Sequence, residues 1–226
     1  MPLSLPQPRG LVFDWDNTLV DSWLCIQKTY NATFRHFGLP EWSMEQTKGQ
    51  VAASMRDSFP QMFGERWPEA REVFSAAFAE IHLDHLVPLP GAAALLDALA
   101  ETGLVLAVVS NKRGNFLRKE AEALGWSGYF SRLVGAEDAE ADKPDPASVR
   151  LALDGTGLDL GRDVWFIGDS PVDILCADKS GCSSVLLRPE APRPGEFSVA
   201  PDRVLGDCRA LGDLLCELSV PIAPKW

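Results

Sequence analysis

The first apolar stretch of the chain, Leu11-Val12-Phe13, stops at two carboxylates one residue apart, Asp14 and Asp16. A short run without polar alternation, bounded by turn-forming residues, reads as a strand buried on both faces. After Val20 the period changes. Trp23, Ile26, Tyr30, Phe34 and Phe37 recur at three- and four-residue spacing, which predicts a helix opening at Ser22 as N-cap and stopping at Gly38. A second helix is expected within residues 51–62. A third is expected over residues 68–86, with Val73, Phe74, Ala77, Phe78 and Ile81 on one face. Residues 45–50 read as the connection between the first two, with Gly49 permitting a sharp turn. Nothing from Asp21 to Val87 predicts a strand, and a crossover in a parallel sheet needs only one helix, so this segment reads as an insertion. Pro88-Leu89-Pro90-Gly91 ends it, since two prolines within three residues cannot continue a helix.

From Ala92 onward helices and strands alternate. Helices are expected over 92–101, 115–124, 147–153 and 172–179, and strands over 104–109, 132–134, 164–167 and 184–187. A proline-rich surface loop follows over 189–201, then a short strand at 203–205 and a last helix at 210–218. The strands are too apolar to keep a wet face. The expected fold is therefore α/β, with a doubly wound parallel-sheet (Rossmann-like) core from residues 1–20 and 88–226 and an inserted α-helical cap domain from residues 21–87. No internal repeat interrupts this order.

Composition narrows the partners. The 226 residues are 46% hydrophobic, ample for a packed core, and carry a formal net charge of −11. The sequence pI near 4.7 argues against nucleic-acid or anionic-membrane partners, which rely on a basic footprint. Five cysteines, Cys25, Cys176, Cys182, Cys208 and Cys216, are odd in number and hold no close C-x-x-C pair, which suggests neither a disulfide framework nor a zinc site. They are expected as small buried hydrophobes in a reducing cytoplasm. Met1 to Pro8 has no apolar signal-peptide region, and no apolar run approaches membrane-spanning length. A cytoplasmic location is the expectation.

In open α/β sheets ligands bind at the carboxyl ends of the strands. Four expected strands end in, or lead shortly to, distinct polar groups. The first ends at Asp14-Trp15-Asp16-Asn17-Thr18; the second at Ser110-Asn111-Lys112. The third leads to the acidic segment 137–146, which contains Lys143. The fourth ends at Gly168-Asp169-Ser170-Pro171-Val172-Asp173. Two carboxylates as close as Asp14 and Asp16 repel unless a cation or a shared proton lies between them, and a hard cation such as Mg²⁺ fits the first alternative. Each group also has a plainer reading. Asp14, Asp16 and Asn17 can form Asx turns, Ser110 or Asn111 can cap a helix, and Lys143 can be a solvated charge. Ser170, Pro171 and Asp173 fit N-cap, N1 and N3 of a helix. Capping leaves Asp169 unexplained, and it does not say why all four groups share one sheet edge.

Jointly and in this order, the motifs resemble the haloacid dehalogenase superfamily. Its pattern is a strand followed by D-x-D-x-T, a strand ending in Ser or Thr, a Lys often followed by Pro, and a strand ending in G-D-x-x-x-D. Here these are Asp14, Asp16 and Thr18; Ser110; Lys143; and Asp169 with Asp173. The insertion after the first motif resembles the helical cap of phosphoglycolate phosphatase and β-phosphoglucomutase relatives. Asn17 departs from the glycine common there, and Cys176 and Lys179 stand where small residues are usual.

The resemblance implies a Mg²⁺-dependent phosphatase acting on a small phosphomonoester, with phosphoglycolate the leading candidate. Asp14 would be the nucleophile forming an aspartyl-phosphate, and Asp16 the general acid and base. Asp14, the Asp16 backbone carbonyl and Asp169 would hold the metal, with Asp173 supporting its shell. Ser110, Asn111, Lys143 and Thr18 would address the phosphoryl group. In the cap, Lys48 is the candidate for a substrate carboxylate. The implied partner is a small phosphorylated metabolite, with no nucleic acid and no membrane, for a monomer or homodimer. Two alternatives stay open. One is a phosphosugar mutase of the β-phosphoglucomutase type, which usually carries a cap histidine soon after the first motif, where residues 21–30 hold none. The other is a phosphate-dependent switch or binding module without turnover.

Overall fold

The computed structural model describes residues 5–51 and 55–222. The chain divides into two compact units, one formed by Met1–Val20 with Pro88–Trp226 and the other by Asp21–Val87. The strands are β1 (Gly10–Phe13), β2 (Val20–Asp21), β3 (Val87–Pro88), β4 (Val105–Arg113), β5 (Arg132–Ala136), β6 (Val164–Gly168), β7 (Ser183–Leu187) and β8 (Arg203–Leu205). The helices are α1 (Trp23–Phe37), α2 (Met44–Gln50), α3 (Met55–Phe63), α4 (Trp67–Ile81), α5 (Ala92–Leu99), α6 (Gly114–Ala123), α7 (Ala147–Leu153), α8 (Pro171–Ser180) and α9 (Cys208–Glu217).

In the first unit six parallel strands run in the order β5-β4-β1-β6-β7-β8. The chain builds outward from β1 on one side through β4 and β5, then crosses to build β6, β7 and β8 on the other. Phe13 at the end of β1 pairs with Val108 of β4 and Ile167 of β6, so Asp14 leaves the sheet at the point where strand order reverses. Val12 packs with Ala107, Val109, Val134 and Phe166 against Val149, Ala152 and Leu153 of α7 and Cys176 and Ala177 of α8. Leu11 and Phe13 alternate to the other face and are also fully buried. Each such side chain stabilises the fold by about 1.5–3 kcal/mol, which is why the strands read as continuous apolar runs.

β4 runs four residues beyond the expected end at 109, and its register against β5 shifts between Val109 and Arg113. The extension is polar, Ser110 to Arg113, so hydrophobic patterning does not reveal it. It passes close to the end of β5. A Cβ on Gly135 would lie 2.4 Å from Gly114 Cα, so only glycine permits this approach.

Among the described residues the second unit has four α-helices around an aromatic core. Tyr30 stacks on Trp42 at 5.2 Å and meets Phe74 edge-on at 5.0 Å, while Phe59 meets Phe74 at 5.5 Å. α1 ends at Gly38 in the left-handed conformation, φ 67°, as its position predicts. Ser22 occupies the N-cap position but makes no capping bond with its side chain. Asp21 Oδ1 accepts from the Trp23 N–H instead, at 3.2 Å.

Expectations for this unit are corrected at residues 45–50, at the end of the third helix and in the absence of strands. Residues 45–50 are not a turn but most of α2. Ser43 Oγ accepts from Gln46 N and Gln46 Oε1 from Ser43 N, a capping box that outweighs the roughly 1 kcal/mol helix penalty of Gly49. The helix expected over 51–62 is α3, Met55–Phe63, and residues 52–54 of that span lie outside the described residues. The helix expected to reach residue 86 ends at Ile81, and the two crossings of the chain, β2 and β3, pair as a two-stranded sheet where no strand was expected.

All five cysteines are free thiols. Burial pushes Cys176 and Cys208 up to about 12, which suits small apolar packing groups better than nucleophiles. No helix among the described residues is long and apolar enough to cross a membrane.

Candidate active site

The Asp14 backbone N–H bonds the Ile167 carbonyl at 2.8 Å, and the chain then curls on itself. Leu19 N and Val20 N both donate to the Trp15 carbonyl, at 3.0 and 3.2 Å, and Asn17 N donates to Val20 O at 2.6 Å. This turn requires φ 61° at Asn17. Asparagine tolerates that conformation better than any residue but glycine, which accounts for the departure noted at this position. Trp15, between the two aspartates, is fully buried and meets Trp126 and Phe130 edge-on.

Lys143 lies at the centre. Its ammonium group donates to Asp14 Oδ1 and to Asp173 Oδ1, each at 2.7 Å. Asn111 brackets it: the Asn111 amide donates to the Lys143 carbonyl at 3.2 Å, and its oxygen accepts from the Lys143 N–H at 3.0 Å. Asn111, expected as a phosphate ligand, thus spends its amide on holding Lys143. Ser110 Oγ accepts from Lys112 N at 3.2 Å, so what its hydroxyl has to offer an incoming oxygen is its proton.

The other oxygen of Asp173, Oδ2, accepts from Ser170 N at 3.1 Å and Ser170 Oγ at 2.5 Å. The capping reading and the site reading of Asp173 are therefore both true, one for each oxygen. Gly168 makes room for it. A Cβ there would lie 2.3 Å from Asp173 Cγ.

Carboxylate oxygens of Asp14, Asp169 and Asp173 all lie within 4.8 Å of one another. Burial raises Asp14 to about 7; the neighbouring Asp173 and Asp16 charges add to the rise and Lys143 opposes it. Asp169 is raised well above the ordinary carboxylate range by burial, then by Asp173 and Asp14. Lys143 is raised too: burial alone would lower it, but Asp14 and Asp173 outweigh burial. Three crowded carboxylates facing one ammonium are an unbalanced, oxygen-only donor set. A hard divalent cation fits it.

Two further site residues are expected, Thr18 and Lys48. Thr18 is fully buried, and its hydroxyl has no hydrogen-bond partner. Lys48 lies in the other unit, exposed on α2, with its Nζ 5.4 Å from the Trp23 ring centroid.

Sequence reasoning missed four residues around the site. Lys112 Nζ contacts Asp16 Oδ1 at 2.7 Å and Glu120 Oε2 at 2.5 Å. The Trp15 indole N–H donates to the same Glu120 oxygen at 2.7 Å. A usable signal existed, because Glu120 falls on the face of α6 that buries Phe116, Leu117 and Ala121. Arg188 pairs bidentately with Glu196 at 2.8 and 2.7 Å and donates to the Asp169 carbonyl at 3.2 Å, tying the proline-rich loop to the fourth motif. Nothing in the local sequence marks that contact.

Residues 11–187 match the haloacid dehalogenase-like hydrolase family. The chain is 30% identical over 220 residues to a phosphoglycolate phosphatase of Rhodospirillum rubrum, covering 92% of this chain and 91% of the relative. It is 28% identical over 202 residues to a phosphoglycolate phosphatase of Yersinia pestis, covering 79% and 80%. A haloacid dehalogenase-like family hydrolase from Streptococcus pneumoniae shares the fold with a TM-score of 0.80 at 20% identity, covering 93% of this chain and 98% of the other. With the sheet-edge cluster and a match that spans all four motifs, the chain belongs to the haloacid dehalogenase-like hydrolases.

Proposed function

We propose that the protein is a Mg²⁺-dependent phosphatase that hydrolyses a small phosphomonoester through an aspartyl-phosphate on Asp14. The observation that carries this reading is the Asp14 carboxylate, fixed at a strand end by Lys143, with Asp169 and Asp173 within ligating distance. Asp14 would attack phosphorus, forming a P–O bond to its carboxylate as the bond to the leaving oxygen breaks. Asp16 would give that oxygen a proton, then take one from the water that cleaves the acyl-phosphate and restores Asp14. Lys143, Ser110 and backbone N–H groups would stabilise the phosphoryl oxygens, where most catalysis of this reaction resides. Asp14, Asp169 and Asp173 would hold Mg²⁺, with the Asp16 carbonyl as the fourth candidate; the ion would offset the repulsion between carboxylate and phosphate.

Two curated relatives bear the name phosphoglycolate phosphatase, which makes phosphoglycolate the first substrate to test. The Lys48 ammonium in α2 is the candidate for its carboxylate. Such a reaction needs a small phosphorylated metabolite and no nucleic acid or membrane surface, and either a monomer or a homodimer suffices for it. Five thiols outside any disulfide, four of them buried, suit a cytoplasmic location.

The test is Mg²⁺-dependent phosphate release from a panel of phosphate esters, with Asp14→Asn beside the wild type. Sustained release by the wild type and none by a folded Asp14→Asn is expected. Phosphate release by Asp14→Asn at the wild-type rate would refute the nucleophile. One stoichiometric phosphorylation of the wild type without turnover would make the protein a switch.

A further inference from the structure

We propose that Lys112, locked in place by Glu120, is a positioning residue that fixes the Asp16 carboxylate for proton exchange with the leaving group and with water. This inference rests on the reading of Asp16 as general acid and base.

Lys112, Glu120 and Trp15 form a closed arrangement around Asp16. The Lys112 ammonium touches Asp16 Oδ1 and Glu120 Oε2, and the Trp15 indole reaches that same Glu120 oxygen. The side chains of Lys112 and Glu120 are 6% and 2% exposed, against 18% for Asp16. The pair is thus desolvated, and the carboxylate it holds keeps more contact with solvent than either partner. Trp15 and Asp16 are consecutive, and the turn enforced by Asn17 sends the indole and the carboxylate to opposite ends of one Lys–Glu pair. Both residues of the loop are anchored to the same ion pair. With Oδ1 tethered, the Asp16 carboxylate loses the side-chain rotation that a short exposed aspartate otherwise keeps.

A buried ion pair is weak evidence for stability alone, because apolar residues of similar volume commonly serve the interior as well or better. Glu120 sits among Phe116, Leu117 and Ala121, where a leucine would satisfy the helix. What a leucine could not do is hold an ammonium against Asp16. Lys112 also follows Ser110 and Asn111 directly, so one polar strand extension carries the phosphoryl-side hydroxyl, the residue that brackets Lys143 and the residue that holds Asp16.

The experiment compares kcat/KM for an alkyl phosphate, whose leaving group needs a proton, with that for nitrophenyl phosphate, whose leaving group does not. The variants are Lys112→Met/Glu120→Gln, Glu120→Gln and Asp16→Asn, each at saturating Mg²⁺ and each checked for fold by circular dichroism. The double variant removes both charges, so neither is left buried and unpaired. It is expected to lose at least about tenfold more on the alkyl ester than on the nitrophenyl ester, in the direction of Asp16→Asn. Glu120→Gln, which keeps a hydrogen-bonding oxygen, should show a smaller selective loss. Equal losses on both esters, or none, with a selective Asp16→Asn would overturn the positioning role alone. If the double variant does not fold, Glu120→Gln decides by the same criterion. Equal losses for Asp16→Asn would overturn the acid–base reading, and this inference with it.

Discussion

Removing the carboxyl at position 14 should change how the metal-free protein's stability responds to pH, and the structure gives the size of the change. Asp14 is raised from 3.8 to about 7, by burial first and then by Asp173 and Asp16, with Lys143 opposing. Between those two values the folded protein holds a proton that the unfolded chain has released. Stability from the protonated carboxyl is therefore fully present below the unfolded value and is lost as pH rises toward 7. From about pH 5 to about pH 8 the loss accrues over roughly 2 pH units, or about 2–3 kcal/mol. Asp14→Asn has no such proton to lose, so urea unfolding of metal-free wild type and variant at the two pH values should give slopes that differ by this amount. Asp169 stays in both proteins, and the difference reads Asp14 together with its effect on Asp169. Mg²⁺ competes with the proton for the same oxygens, so its stabilisation of the wild type should grow over the same window, reaching about 2.7 kcal/mol at a concentration 100 times its Kd. Identical pH dependence of the two metal-free proteins would refute the burial argument for Asp14.

Two further outcomes follow from particular contacts. Gly168→Ala would place a Cβ 2.3 Å from Asp173 Cγ, and the forced shift should lower stability by about 1–3 kcal/mol and cut phosphate release by pulling Asp173 from Lys143; thermal unfolding and turnover at wild-type values would show that the close approach does not matter. Lys48→Ala should lower kcat/KM for phosphoglycolate by about tenfold or more while sparing nitrophenyl phosphate, which offers no carboxylate; a parallel loss on both would remove Lys48 as the carboxylate ligand.

The parallel core is legible because its strands are buried on both faces: Leu11, Val12, Phe13 and Val164 through Ile167 leave no polar position to confuse the period. Legibility fails where polarity and geometry part company. Ser110 through Arg113 are strand residues that look like a loop, since the register shift against β5 carries them past the apolar region. α2 is hidden for the opposite reason, because Gly49 suggests a break while the Ser43–Gln46 box that makes the helix is a pair of side-chain bonds. The aspartates of the candidate site stand out in the sequence as polar groups at the ends of apolar strands. Their counter-charges do not. Lys112, Glu120 and Arg188 acquire meaning only from residues 8 to 105 positions away, and a lysine in a polar stretch reads the same whether it is solvated or buried.

Those hidden counter-charges change how the site is understood. Two lysines enter it, and each is divided between two carboxylates: Lys143 between Asp14 and Asp173, Lys112 between Asp16 and Glu120. In each bridge one carboxylate belongs to the D-x-D loop and the other is fixed from behind, Asp173 by Ser170 at the start of α8 and Glu120 by the Trp15 indole. An ammonium shared in this way is less free to follow its partner than one in a simple pair, because moving toward one oxygen means leaving the other. The two aspartates are thus held by separate ammonium groups, Asp16 from β4 and α6 and Asp14 from the Lys143 segment and α8, and Asn111 of β4 brackets Lys143 as well. The arrangement has an electrostatic consequence as well. Both lysines already answer to two anions, and Asp169 adds a further carboxyl, so these groups alone offer an incoming phosphate little net attraction. In a chain of net charge −11, that deficit is itself a physical argument for a divalent cation among Asp14, Asp169 and Asp173.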